Sequence, residues 1–250
     1  MGKVARLLVA IVGLWLANAQ AEPLRLVYPD FPPYTTNSKP PLAVGNFLLE
    51  KIMQHMDQSY QTRMVPNYKR ALSELENDKA DGLFLASRNN QRDHIAEFSS
   101  PLLHNNWSWF FRYDTFLDPY SAAFKSQAKV ASIEGTNTHF WLLQHHYRVI
   151  GKQNDVKKLA QMLFDLKRID AAFLSADVFK ESSDHPNLVN DEYIEVVQSA
   201  TPFGIYISKS YLAKHPDFMT RLNQAINTVQ KQYLNNSYSL SGFNRDAAAR

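Results

Sequence analysis

Three short apolar runs, separated by segments of helical period, constrain the fold of this chain more than any other feature. "LRLVYP" (24–29) alternates and reads as a strand, "QTRMVP" (61–66) as a second, and "GLFLA" (82–86) as a third. Between them, "GNFLLEKIMQHM" (45–56) sets Leu48, Ile52 and Met56 on one stripe. "YKRALSELENDK" (68–79) turns Ala71, Leu72 and Leu75 inward. Strand, helix, strand, helix, strand is the order of an α/β sheet with covering helices.

The same grammar recurs. "LSELENDKADGLFLAS" (72–87) is similar to "MLFDLKRIDAAFLSAD" (162–177): an amphipathic helix, a short turn, an aspartate, a small residue and an apolar strand. Asp81 and Asp170 hold equivalent places. Two lobes of like construction fit this better than a repeat array. In the second unit "KVASI" (129–133) reads as a strand, as do "EYIEVVQ" (192–198) and "FGIYIS" (203–208). "PDFMTRLNQAINTVQKQYL" (216–234) reads as a long helix buried along Phe218, Leu222, Ile226, Val229 and Tyr233, with Pro216 in its first turn.

Residues 1–21 stand apart. Lys3 and Arg6 precede the apolar run "LLVAIVGLWLA", which is too short to span a bilayer, and Ala19 and Ala21 have A-x-A spacing. This predicts a secretory signal peptide cleaved after Ala21. Its removal leaves 25 basic against 24 acidic residues, a net charge of about +1. No dense Lys/Arg run exists, so nucleic acid is not an expected partner. Cysteine is absent, which excludes disulfides and thiol chemistry. His139, His145 and His146 share a predicted helix without carboxylates at metal spacing, so no metal and no cofactor is expected.

Chemistry concentrates at two strand ends. Ligands of open α/β sheets sit beyond the carboxyl ends of strands. Ser87 is at such an end, a helix can start at Asn89 or Asn90, and Arg92 offers a two-pronged donor suited to a carboxylate. The same arginine could instead pair with Asp93 or Glu97 on a solvated face. In the second unit Gly135 permits a tight turn, and Thr136 and Asn137 open a helix that can face an anion or form a simple capping turn.

These motifs carry a resemblance. "DFPPYT", "LSELENDKADGLFLASRNNQRDHIAEFSSPL", "EGTNT", "RIDAAFLSAD" and "PFGIYISK", in that order, resemble the family 3 periplasmic solute-binding proteins, the polar amino-acid-binding class of ABC transport systems. The resemblance implies an α/β, two-lobed periplasmic-binding-protein fold (type II), with a ligand cleft between lobes joined by two hinge crossings. Lobe 1 would be residues 22–112 with a return segment 203–250, and lobe 2 residues 113–202, crossing near "FFRYD" (110–114) and "SATPF" (199–203). Arg92, Ser87 and the Thr136–Asn137 turn would clamp a carboxylate, between Phe31 and Tyr68.

The resemblance has gaps. Where amino-acid binders place an acid for the ligand ammonium, Ser175 stands, with Asp177 two residues on. Tyr28 stands where binders of cationic amino acids can have an aspartate. The implied protein is a monomeric periplasmic binder of a small carboxylate-bearing solute, with an inner-membrane ABC permease as partner. A sensory binding protein and a dehydratase-like enzyme on the same scaffold are the alternatives. The enzyme would need a general acid in the cleft.

Overall fold

A computed structural model of the chain describes residues 22–37, 43–115, 117–151 and 153–234. The expected signal peptide and the end of the return segment lie outside the described residues.

The first unit runs β1 (Leu24–Pro29), α1 (Val44–His55), β2 (Tyr60–Val65), α2 (Tyr68–Glu76) and β3 (Gly82–Ser87). It continues through α3 (Asn90–Ile95), β4 (Ala96–Phe98) and the long β5 (Leu103–Phe111). The second unit holds α4 (Ala122–Gln127), β6 (Val130–Ala131), α5 (Asn137–Gln144), α6 (Val156–Phe164), β7 (Ala171–Ser175), α7 (Ala176–Ser182) and α8 (Pro186–Val189). β8 (Ile194–Ser208), α9 (Lys209–Lys214) and α10 (Phe218–Tyr233) follow.

The strands form one sheet in the order β2-β1-β3-β8-β5-β7-β6, with β4 paired to β8 off that path. β1 lies parallel to β2 and β3, and β6 parallel to β7. β5 and β8 run antiparallel to each other along their length, from Leu103 opposite Phe203 to Phe111 opposite Ile194. Near Phe203, β8 also pairs with β3; toward the other end, Trp107–Phe110 of β5 pair with β7. Two adjacent strands therefore connect the two halves.

This differs from the sequence reading in three places. The runs 192–198 and 203–208 are not separate strands but parts of the single β8. Pro202 does not interrupt it, because β3 reaches only to Phe203 and Pro202 has a ladder partner on one side alone. "KVASI" forms a ladder only at Val130–Ala131. Pro216 precedes the N-cap Asp217 of α10 rather than lying in its first turn.

Apolar burial explains the layers. All six residues of β3 are buried, as a strand covered on both faces requires. On one face α1 and α10 pack Leu48, Ile52, Leu222 and Ile226 against Leu26, Phe84 and Ile205. On the other, Ala71 and Leu75 of α2 meet Val27 and Leu83. The second unit repeats this: α6 and α7 bring Leu159, Leu163 and Phe179 onto Phe110 and Ala172, while Phe124 and Leu142 cover Trp109 and Phe173. Each buried Leu or Phe contributes about 1.5–3 kcal/mol by leaving water.

The recurrence seen in the sequence has a geometric basis. After α2 the chain passes through the left-handed region at Asp78 (φ 53°), and after α6 at Lys167 (φ 49°). Three residues later Asp81 and Asp170 each accept the backbone N–H of the neighbouring strand, Arg25 at 2.8 Å and Lys129 at 2.7 Å. Each aspartate N–H returns a bond to the carbonyl of that same residue, 2.8 Å in both cases. The motif pins a strand start to its parallel neighbour.

Candidate functional site

A bulge shapes the end of β3. Phe84 faces Ile205 and Ala86 faces Gly204, so Leu85 is an extra residue against β8. The Leu85 carbonyl accepts the Tyr68 phenol at 3.0 Å, which fixes the first residue of α2 over the strand end. Ser87 follows, 6% exposed. Asn89 caps α3, its side chain accepting the Arg92 N–H at 2.9 Å.

That cap turns Arg92 inward, where it is 6% exposed. Its Nη1 donates to the Ser87 carbonyl, and its guanidinium carbon lies 4.9 Å from the Tyr68 ring centroid. Burial lowers its pKa from the ordinary arginine value, but it stays charged at neutral pH. Burial likewise pushes the Tyr68 phenol up, so Tyr68 is neutral there. The solvated pairing with Asp93 does not form. Asp93 accepts Arg88 Nε at 3.0 Å and the Tyr206 phenol at 2.9 Å instead. Glu97 lies exposed in β4, and no carboxylate among the described residues pairs with Arg92.

The second unit faces this corner. Gly135 adopts φ 77°, which an L side chain disfavours, and Thr136 caps α5. The Thr136 hydroxyl donates to the Ile133 carbonyl at 2.7 Å and lies 2.8 Å from Thr138 Oγ1. Asn137 Oδ1 accepts Asn89 Nδ2 at 3.1 Å, a direct bond between the two units. The space between encloses about 460 Å³ including its mouth, and seven of the eight expected site residues line it: Phe31, Tyr68, Ser87, Arg92, Thr136, Asn137 and Ser175. Phe31 stands edge-on to Tyr68 at 5.9 Å and to Phe203 at 6.3 Å.

No protein-family model matches the sequence, and no curated protein matches it. Solved structures do. The GluR0 ligand-binding core from Nostoc punctiforme, in complex with L-glutamate, superposes with a TM-score of 0.67 at 17% identity, over 86% of this chain and 95% of that one. A histidine kinase sensor domain with similarity to periplasmic binding proteins gives 0.66 at 16%, over 84% and 91%. ArtJ, an arginine-, lysine-, histidine-binding protein from Geobacillus stearothermophilus, gives 0.65 at 13%, over 83% and 90%.

The chain has the two-lobed periplasmic-binding-protein fold. At these identities the likeness is one of fold, and the cavity lies where the two lobes of that fold face each other.

The eighth expected residue, Asp177, does not line the cavity. Its Oδ2 accepts the Tyr34 phenol at 2.6 Å, a second bond between the lobes. Burial, then the Asp177 charge, pushes the Tyr34 pKa well up, so the phenol stays a donor. Tyr28 is buried in the core of the first unit. Among the lining residues Arg92 alone carries a charge, and none is Asp, Glu or His.

Sequence reasoning missed Asn105, Trp107 and Phe203, which also line the cavity. Asn105 and Trp107 are two apart on β5, hence on one face, and Trp107 lies opposite Ser175 of β7. The signal available was the period-2 spacing in "LHNNWSW", which its two central asparagines obscure.

Proposed function

We propose that this chain is a solute-binding protein that closes its lobes on a small, carboxylate-bearing, amino-acid-like molecule. One observation carries the reading: Arg92 is buried and charged in an aromatic-walled cleft, and no acidic side chain among the described residues pairs with it. A buried cation without a counter-ion is costly, and a ligand carboxylate would remove that cost through charge-assisted hydrogen bonds. Phe31 and Tyr68 would flank the ligand, giving contact area at little entropic cost. Ser87 and the Thr136–Asn137 turn would complete the clamp. We propose that the first crossing lies earlier in β5 than the expected 110–114, since Trp107–Phe110 already pair with β7: lobe 1 would run to Asn105 and resume at Phe203, as expected, with lobe 2 between. Ligand contacts to both lobes would favour closure.

A dehydratase-like enzyme on this scaffold would need a proton donor in the cleft, and the lining residues offer no carboxylic acid or histidine. That weighs for a binder. No helix among the described residues is long and apolar enough to cross a membrane. With a signal peptide ending at Ala21, the protein would work in the periplasm and hand its solute to an inner-membrane ABC permease. A sensory role without a permease is the second reading; the likeness to a histidine kinase sensor domain favours it.

Mass spectrometry of small molecules released from the purified protein tests the proposal, together with a thermal-shift screen of carboxylates. A ligand at a hundred times its dissociation constant adds about 2.7 kcal/mol of stability. A screen in which cationic or neutral amines stabilise the protein and carboxylates do not would overturn it.

A further inference from the structure

Two buried polar atoms of the cleft have no hydrogen-bond partner: Asn105 Oδ1 and Ser175 Oγ. Asn105 is 3% exposed and Ser175 4%, and both line the cavity that holds Arg92. They are close on one face of the sheet. Asn105 lies two residues before Trp107 on β5, and Trp107 pairs with Ser175 of β7. Ser175 is also the N-cap of α7, yet its side chain makes no capping bond. Its hydroxyl lies by the Tyr34 phenol and only partly offsets the rise that burial and Asp177 impose on that phenol's pKa, without completing a hydrogen bond of good geometry. Native proteins seldom leave such groups unsatisfied, because desolvation without a partner is costly.

We propose that Asn105 and Ser175 bind a second, uncharged polar group of the ligand. The ligand is then a monocarboxylate bearing a neutral hydroxyl near its carboxylate, rather than an α-ammonium zwitterion. The inference rests on the carboxylate reading of Arg92 and refines it. Its ground is charge balance. The lining holds one positive charge and no negative one, and Asp177 is engaged by Tyr34. A monoanion neutralises Arg92. An ammonium would enter beside a like charge with no carboxylate to meet it, and burial disfavours the charged form. A hydroxyl needs only neutral partners. The Asn105 amide, turned about its last bond, offers a donor or an acceptor, and the Ser175 hydroxyl offers both.

Titration calorimetry with acids matched in body separates the cases: 3-phenyllactate, phenylalanine and 3-phenylpropionate, then 2-hydroxy-4-methylpentanoate, leucine and 4-methylpentanoate. The expected order in at least one series is hydroxy acid tightest, by about tenfold over the plain acid, with the amino acid no better than the plain acid. Asn105→Leu and Ser175→Ala should each weaken the hydroxy acid by a larger factor than they change the plain acid, so that the preference between the two shrinks. Asn105→Leu should not lower the melting temperature of the free protein, since it removes an unsatisfied group. If phenylalanine or leucine binds tightest, or the plain acid matches the hydroxy acid, or both variants keep the full preference, the inference falls and the carboxylate reading stands. If no acid of either series binds, the inference falls, and the carboxylate reading stands or falls on the wider thermal-shift screen.

Discussion

The Tyr34 phenol and the Asp177 carboxylate, 143 positions apart in sequence, meet at 2.6 Å and join the two lobes beside the cleft. With Asn89 Nδ2 on Asn137 Oδ1 at 3.1 Å, this gives the lobes two direct polar bonds that need no ligand. Tyr34 itself is held by α1. A Cβ at Gly45 would collide with the Tyr34 carbonyl and with Leu85, so the loop and the helix start can lie this close only with glycine there.

Removing the phenol should therefore loosen the pairing of the lobes. Tyr34→Phe and Asp177→Asn, measured alone and together by urea unfolding, should show a coupling energy of about 1–3 kcal/mol, as for a hydrogen bond to a charged group. Strict additivity of the two changes would show that the bond contributes nothing in solution.

The aspartate motif makes a different prediction, because its two copies lie in different lobes. Asp81→Ala and Asp170→Ala should each cost about 1–2 kcal/mol through loss of the strand-start hydrogen bond. The double variant should lose the sum within about 0.5 kcal/mol. A copy whose replacement leaves the urea midpoint unchanged would not be pinning its strand.

Acid stability should depend on Glu74. It is buried on α2 and accepts Arg63 and Arg70, each at 2.7 Å. The hydrogen bond from Arg63 holds its carboxyl below the usual range against the opposing effect of burial, helped by the charges of Arg63, Arg70 and Lys79. A folded pKa below the unfolded one, about 4.3, means stabilisation that is full above that value and lost as the pH falls through the folded value. Urea midpoints between pH 2 and 7 should thus drop more steeply below about pH 4 in the wild type than in Glu74→Gln. Parallel curves would remove Glu74 from the account.

Much of the corner around Arg92 could be read from the chain, because local signals determine it. An apolar run ending at Ser87, a cap at Asn89 and an arginine three residues on follow one another in sequence, as do Gly135, Thr136 and Asn137. The twin aspartates were legible for the same reason. The connecting strands were not. β5 carries buried Asn105 and Ser108 among its aromatics, and β8 carries a proline, so neither reads as one strand. Nor could local pattern reveal that Asp177 is engaged by Tyr34, since nothing near either residue in sequence announces its partner.

The central claim is that Arg92 receives a ligand carboxylate. Isothermal titration of Arg92→Ala with the carboxylate that best stabilises the wild type tests it most directly. The variant should fold with a near-normal melting temperature, because losing a buried, unpaired cation does not damage the core. Its affinity should fall by a factor of about thirty to a thousand, or about 2–4 kcal/mol. Arg92→Lys should recover only part, since an ammonium lacks the planar fork. An Arg92→Ala protein that folds and binds the carboxylate as tightly as the wild type would contradict the account.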